Sequence, residues 1–244
     1  MAGKGGTGKT TIAALIIRII KEKGLGSILA VDADPNSNLC EVLGLAPKES
    51  VGEILDNIAT GVRKIPSGMS KDRFIEYEVQ SAIVESDGFD VLTMGRPEGP
   101  GCYCYVNNVL RGVVSKLIND YDYIVIDNEA GLEHLSRRTT RSANALVIVS
   151  GPTSIGLKSA KRISDLTKDL AIKINKELLL INCSQENIEK QRLKDFTADY
   201  LGSVPLDEEI AKISQNGSSI MDLNQDAVSL NTLRKLGDKI WQRN

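Results

Sequence analysis

Gly3, Gly8, Lys9 and Thr10 stand in the order G-x-x-x-x-G-K-[ST], inside an opening run that reads MAGKGGTGKTT. Each residue type in that order has a task directed at phosphate. Gly5, Gly6 and Gly8, with Thr7 among them, let backbone N–H groups curl around phosphate oxygens at the start of a helix, where unpaired donors and the helix dipole favour an anion. Lys9 is placed to bridge the β- and γ-phosphates of a nucleotide. The Thr10 hydroxyl is placed to complete the shell of a Mg²⁺ ion that keeps several waters, and Thr11 joins the set at the helix start. The chemistry implied is ATP hydrolysis. Lys4 has no task in that set, because one lysine already serves the phosphates, and its presence points to a second subunit.

Two more groups could act nearby. Asp32-Ala33-Asp34 follows an apolar run, which puts two carboxylates at the carboxyl edge of a strand, where open α/β sheets bind their ligands. Another apolar run ends at Asp127. Phosphoryl transfer needs little covalent help, so a carboxylate that orients water and lysines that neutralise the γ-phosphate form a sufficient set. Gly99-Pro100-Gly101-Cys102-Tyr103-Cys104 offers a different chemistry, since cysteines one residue apart can chelate a soft metal together. Two thiolates alone leave a tetrahedral or square-planar ion unfinished.

The elements that must position these groups alternate between strand and helix, the pattern of an α/β, doubly wound, mostly parallel sheet with helices on both faces. A helix is expected from Thr10 to Lys23, stopped by Gly24. The apolar runs 27–32, 123–127, 145–149 and 178–181 suit strands buried on both faces. Helices are expected near 106–119, 133–142, 156–171, 187–200 and 226–242. The stretch 77–94, with Asp87-Gly88 at its centre, reads as a hairpin or a pair of strands around a turn. No repeat or linker interrupts the 244 residues, so one domain over 1–244 is expected.

Composition excludes several classes. A net charge of −2 with 25% charged residues is not that of a general polyanion binder, and Arg137, Arg138 and Arg141 read as a solvated helix face. Neither a run long enough to span a membrane nor a signal peptide is visible, so a cytoplasmic protein is expected. Four cysteines in a reducing compartment read as metal ligands, redox groups or core filler.

The run from Lys4 to Thr10 matches K-G-G-x-G-K-[ST], and in it the chain resembles the deviant-Walker ATPases, the superfamily of MinD, ParA and the nitrogenase iron protein. The resemblance implies that Lys4 reaches across a dimer to the partner's nucleotide. It also implies that Asp34 positions the attacking water, that Asp32 sits in the magnesium shell, and that Asp127 holds magnesium through water. Residues 127–131 match the family's switch II segment, where the backbone N–H of Gly131 would approach the γ-phosphate. Asn182, at the end of an apolar strand, takes the place of an asparagine that reads the adenine edge, and Pro205 lies in a second base-contacting loop. The family's first strand precedes its phosphate loop. Only Met1 and Ala2 precede Gly3 here, so that strand is expected to be missing, through a start codon assigned too far downstream or a shortened chain.

The block from Gly101 to Cys104, together with Asp127 to Leu135, resembles the CooC-type nickel-insertion ATPases of carbon monoxide dehydrogenase and acetyl-CoA synthase. Twofold symmetry in the dimer implied by Lys4 would bring Cys102 and Cys104 of both chains to one axis, making four sulfurs from one motif. The implied function is an ATP-dependent metallochaperone: a homodimer formed on ATP or metal binding that carries nickel, with zinc as the competing ion, to a client nickel enzyme, without nucleic-acid or membrane partners. Two other readings stand beside it. An iron-sulfur electron-transfer ATPase is disfavoured by the absence of cysteine from residues 127–140. A MinD/ParA-type positioning ATPase without metal would need its C-terminal stretch for a membrane, yet Leu233, Leu236, Ile240 and Trp241 read as a stripe packed on the body. His134 reads as structural, and Cys40 as buried.

Overall fold

Side-chain alternation along the central strands decides the layers. In β2 (Ile28–Ala33), Ile28 and Ala30 share one apolar cluster with Val147, Val149, Leu178 and Leu180. Their neighbours Leu29, Val31 and Ala33 enter a second cluster, while Leu146, Ile148, Leu179 and Ile181 enter a third. A period of two with both faces apolar demands helices above and below the sheet.

The computed structural model describes residues 1–95, 103–117, 119–130, 142–169, 172–186, 188–194 and 196–241, with the backbone alone at 103–107, 110 and 190. Parallel strands β2, β4 (Phe89–Thr93) and β5 (Tyr123–Asn128), with antiparallel β3 (Val84–Ser86) at the edge, pair in the order β3-β4-β2-β5. A second parallel group, β1 (Ala2–Gly3), β6 (Ser142–Ser150), β7 (Lys173–Asn182) and β8 (Asp199–Val204), pairs as β1-β6-β7-β8. Met1 joins the two. Its nitrogen donates to the Ile126 carbonyl at 2.5 Å, and its carbonyl accepts from Asn128 Nδ2 at 2.8 Å. The expected loss of the first strand is therefore corrected: two residues remain, paired Ala2 to Ile148 and Gly3 to Val149.

Helix α1 (Lys9–Glu22) is buried along its middle, with Ile12, Leu15, Ile17 and Ile19 at 0–1% exposure. Each such side chain is worth about 1.5–3 kcal/mol on burial. A helix apolar all round needs cover on its outer side as well. That cover is α9 (Val228–Trp241), whose Leu230 and Leu233 join the α1 cluster while Leu236, Ile240 and Trp241 pack against it. The C-terminal stripe is thus engaged with the body, as its spacing predicts. Among the described residues, no helix is long and apolar enough to cross a membrane. On the opposite face lie α3 (Val51–Ala59), α4 (Lys71–Ser81) and α5 (Tyr103–Leu117), with α6 (Ser154–Asp169) beside them over β6 and β7. Short α2 (Leu39–Val42), α7 (Lys190–Leu193) and α8 (Glu208–Asn216) complete the described helices, with one 3₁₀ turn at Ile220–Asp222.

Two expectations are corrected. A helix over 187–200 gives way to the four residues of α7 and then to β8, because Asp199–Val204 pairs with β7 across a bulge at Leu179/Leu180. Pairing with a buried neighbour overrides local helix preference. In the stretch 77–94 the Asp87-Gly88 turn is present, but residues up to Ser81 belong to α4, which Ser70 caps by accepting from the Arg73 N–H. The helix expected over 133–142 falls on residues outside the description, apart from Ser142, which opens β6.

Close backbone packing at β1 generates a test. A Cβ on Gly3 would stand 2.4 Å from the Val149 carbonyl oxygen, whereas one on Gly112 in α5 would meet nothing. Gly3→Ala should lower stability by about 1–3 kcal/mol. Gly112→Ala should leave it level or raise it by about 0.5–1 kcal/mol. Thermal or urea denaturation of the pair checks this, and equal effects would contradict the packing of β1 against β6.

Candidate nucleotide site

The loop from Lys4 to Gly8 runs directly from β1 into α1, at the carboxyl edge of the parallel strands. Gly8 adopts φ +84° and N-caps α1 without any side-chain cap, so the first N–H groups of the helix are left for an external acceptor. Inside the loop, the Thr7 hydroxyl donates to the Lys4 carbonyl at 2.8 Å, and Lys9 Nζ reaches the same oxygen at 3.5 Å. The Lys4 side chain is exposed. Lys9 is buried, and burial lowers its pKa against the opposing pull of Asp127, Asp34 and Glu129.

Three carboxylates face this loop from the ends of β2 and β5. Thr10 Oγ1 donates to Asp127 Oδ2 at 2.6 Å, while Asp127 Oδ1 is buried with no hydrogen-bond partner among the described residues. Burial raises the Asp127 pKa, with Thr10 and Lys9 opposing. Asp32, fully buried, accepts from the backbone N–H groups of Asp34 (3.1 Å) and Leu39 (2.8 Å), and burial outweighs these bonds to push its pKa up to about 7. Asp34 is half-buried and folds its own turn by accepting from the Asn36 backbone and side chain, both at 2.9 Å. Gly5 faces the start of the segment after β5, where a Cβ would meet Ala130 at 3.5 Å.

The donor set fits magnesium. A hard cation that retains water binds through one or two carboxylates and the substrate's phosphates rather than in a protein-only cage. The orphaned Asp127 oxygen beside the Thr10 hydroxyl meets that description, and among the described residues no cluster of three or more metal-ligating side chains exists.

Asn182 ends β7 and donates through Nδ2 to the Thr7 carbonyl at 2.9 Å. Pro205 follows β8, and its loop is tied to the Asn182 loop by the Ser184 N–H, which donates to the Val204 carbonyl at 3.0 Å. Asp207 then anchors that loop by accepting from the Ser229 hydroxyl at 2.7 Å. Lys9, Thr10, Asp32, Asp34, Asp127 and Asn182 thus gather around one loop. Gly131, His134 and Cys102 lie outside the described residues, and Cys104 is described only as backbone in the first turn of α5. Cys40 is buried against α1, and its thiol is pushed up to about 11 by burial.

The sequence pattern gives no role to Thr93 or Met94. Thr93 ends β4 opposite Asp32 with its hydroxyl buried and, among the described residues, unpartnered, and the Met94 N–H donates to the Asp32 carbonyl at 2.8 Å. Their signal was available: each ends or follows an apolar strand at the same edge as the two aspartates.

A glycine-rich phosphate loop at the carboxyl edge of a doubly wound sheet defines a P-loop ATPase. Residues 1–220 match the CobQ/CobB/MinD/ParA nucleotide binding domain, and the chain belongs to that family. It is 37% identical over 245 residues to an uncharacterized ATP-binding protein of Methanocaldococcus jannaschii, covering 98% of this chain and 96% of the relative. It is 30% identical over 236 residues to the carbon monoxide dehydrogenase accessory protein CooC of Rhodospirillum rubrum, covering 92% and 89%. In fold it is similar to the septum site-determining protein MinD of Pyrococcus horikoshii complexed with Mg-ADP, with a TM-score of 0.73 at 22% identity, over 99% and 94% of the two chains.

The raised Asp32 pKa has a definite sign. A carboxyl held near 7 in the folded chain, against an ordinary 3.8, favours folding in its neutral form, so its contribution is complete below about pH 4 and is lost as pH rises through about 7. The nucleotide-free protein should therefore lose, from this group, on the order of a few kcal/mol between pH 4 and pH 7. Asp32→Asn should remove that part of the pH dependence. Denaturant unfolding of both proteins at several pH values checks it, and parallel profiles would contradict the burial of an ionisable Asp32.

Proposed function

We propose that the chain is an ATP-dependent metallochaperone in which Cys102 and Cys104 of two subunits hold one nickel ion, with zinc as competitor, for delivery to carbon monoxide dehydrogenase or acetyl-CoA synthase. The reading is carried by the link between the cysteine motif and the nucleotide edge. Strands β4 and β5 both run parallel to β2, so the segment between them is a crossover whose helix α5 begins at the carboxyl edge. Cys104 falls in the first turn of that helix, and Cys102 stands immediately before its start in the sequence. At the base of the same segment, the Met94 N–H is bonded to the Asp32 carbonyl, a contact through which a shift of the acidic loop would reach the strand that leads to the cysteines. The likeness to the carbon monoxide dehydrogenase accessory protein CooC supports carbon monoxide dehydrogenase as the client.

In the nucleotide site, the loop amides and Lys9 would bind the phosphates, Asp34 would orient the attacking water, and Asn182 and Pro205 would hold the base. Thr10, Asp32 and Asp127 would hold magnesium, which when bound offsets phosphate charge. Lys4, exposed on the loop, would reach a partner's nucleotide, and Gly131 would follow the γ-phosphate through its backbone N–H. The dimer would close on ATP or metal and reopen on hydrolysis in the cytoplasm, with no nucleic-acid or membrane partner.

Lys4→Ala should leave nucleotide affinity within about twofold yet abolish ATP-dependent dimerisation and turnover, whereas Lys9→Ala should lose nucleotide binding itself. Size-exclusion chromatography with ATP and a phosphate-release assay separate the two. Wild-type turnover in Lys4→Ala would remove the trans role.

Titration of nickel into the anaerobic protein, followed by thiolate charge-transfer absorbance, should end at one ion per two chains. Cys102→Ser or Cys104→Ser should each weaken binding by more than the ~10–100-fold typical of losing an outer-shell partner. One ion per chain, or undiminished binding in either variant, would overturn the shared site.

A further inference from the structure

The Thr7–Gly8 peptide lies between two anchors. On its carbonyl side, Asn182 Nδ2 donates to the Thr7 oxygen at 2.9 Å. A carbonyl only accepts, so the amide must present its NH₂ to the loop and keep Oδ1 for any other partner. On its nitrogen side, the same planar trans peptide points the Gly8 N–H in the opposite direction. Gly8 is left-handed, φ +84°, and a Cβ there would stand 2.3 Å from Asn182 Nδ2, so the side chain packs directly on the turn that starts α1.

We propose that Asn182 is a positioning residue for phosphate: by holding the Thr7 carbonyl outward it turns the Gly8 N–H into the phosphate cradle. Such a loop binds anions only when its N–H groups converge, and a rotated peptide would present a carbonyl oxygen to the phosphate instead. The Thr7 hydroxyl, bonded to the Lys4 carbonyl, steadies the loop from within but does not fix this peptide. Asn182 does so from β7, a strand whose residues Leu179 to Ile181 are fully buried and which is therefore rigid. The inference rests on nucleotide binding alone and is independent of the metal reading. It assigns Asn182 a task beyond the proposed adenine contact, because the phosphate cradle is set before any base arrives.

Wild type, Asn182→Ala and Asn182→Asp can be compared in two ways. Hydrogen–deuterium exchange of the nucleotide-free protein should show the 4–9 loop exchanging about tenfold faster in both variants. Calorimetric titration with magnesium and inorganic tripolyphosphate, which has no base, should show affinity falling about three- to tenfold, the weight of one hydrogen bond. The aspartate variant keeps an acceptor oxygen for a base but cannot donate to Thr7, so it must fall with alanine. Loop exchange equal to wild type in both variants would overturn the proposal, whatever happens to ATP. A loss confined to ATP, with tripolyphosphate unchanged, would likewise return Asn182 to base recognition alone. Melting curves of the ligand-free variants identify any general loss of stability, which on its own would not change tripolyphosphate affinity.

Discussion

The hydrogen bond from Thr10 to Asp127 is the hinge of the architecture, because it fastens the start of α1 to the end of β5. The loop before α1 leaves β1, which pairs with β6, and is met from the other side by Asn182 on β7. Strands from both parts of the sheet thus hold one short, glycine-rich turn. A loop with two left-handed glycines, Gly6 and Gly8, carries high conformational entropy when free, and ordering it needs such outside anchors.

The same arrangement gathers groups that would be more comfortable in water. Lys9 is buried with its charge disfavoured, and Asp32 and Asp127 are buried with theirs disfavoured too. A nucleotide with its cation supplies the missing counter-charges and relieves all three, so binding and folding stability are linked. Functional sites commonly keep such poorly satisfied groups. The Asp127 oxygen and the Thr93 hydroxyl, both without a partner among the described residues, lie at the ends of the two strands that flank Asp32.

Much of this was legible in the residues. The glycine–lysine–threonine spacing marked the loop, and apolar runs ending in Asp32, Asp127 and Asn182 located the strand ends that surround it. Local chemistry sufficed there because each group is set by the element it terminates. Other features depended on pairing at a distance. The strand Asp199–Val204 has no apolar run of its own and exists through its ladder with β7. The two-residue β1 is a strand only because Ile148 and Val149 lie beside it. The bond between Met94 and Asp32 joins residues far apart in sequence, and no spacing rule would place it. The Asn182 contact with Thr7 is similar, since the type of residue was noticed for its amide while its partner was set by the fold.

The proposed metallochaperone requires its cysteine motif and its nucleotide site to be coupled, and the bond between Met94 and Asp32 ties the two segments together. Linkage requires that coupling to be reciprocal, typically 5- to 150-fold in affinity. The direct measurement is nickel affinity in the presence of a non-hydrolysable ATP analogue against ADP, paired with analogue affinity at zero and saturating nickel. In the proposed metallochaperone, nickel binding should change by at least about fivefold between the two nucleotides, and nickel should change the analogue's affinity by the same factor relative to ADP. Nickel bound equally tightly whichever nucleotide is present would contradict it.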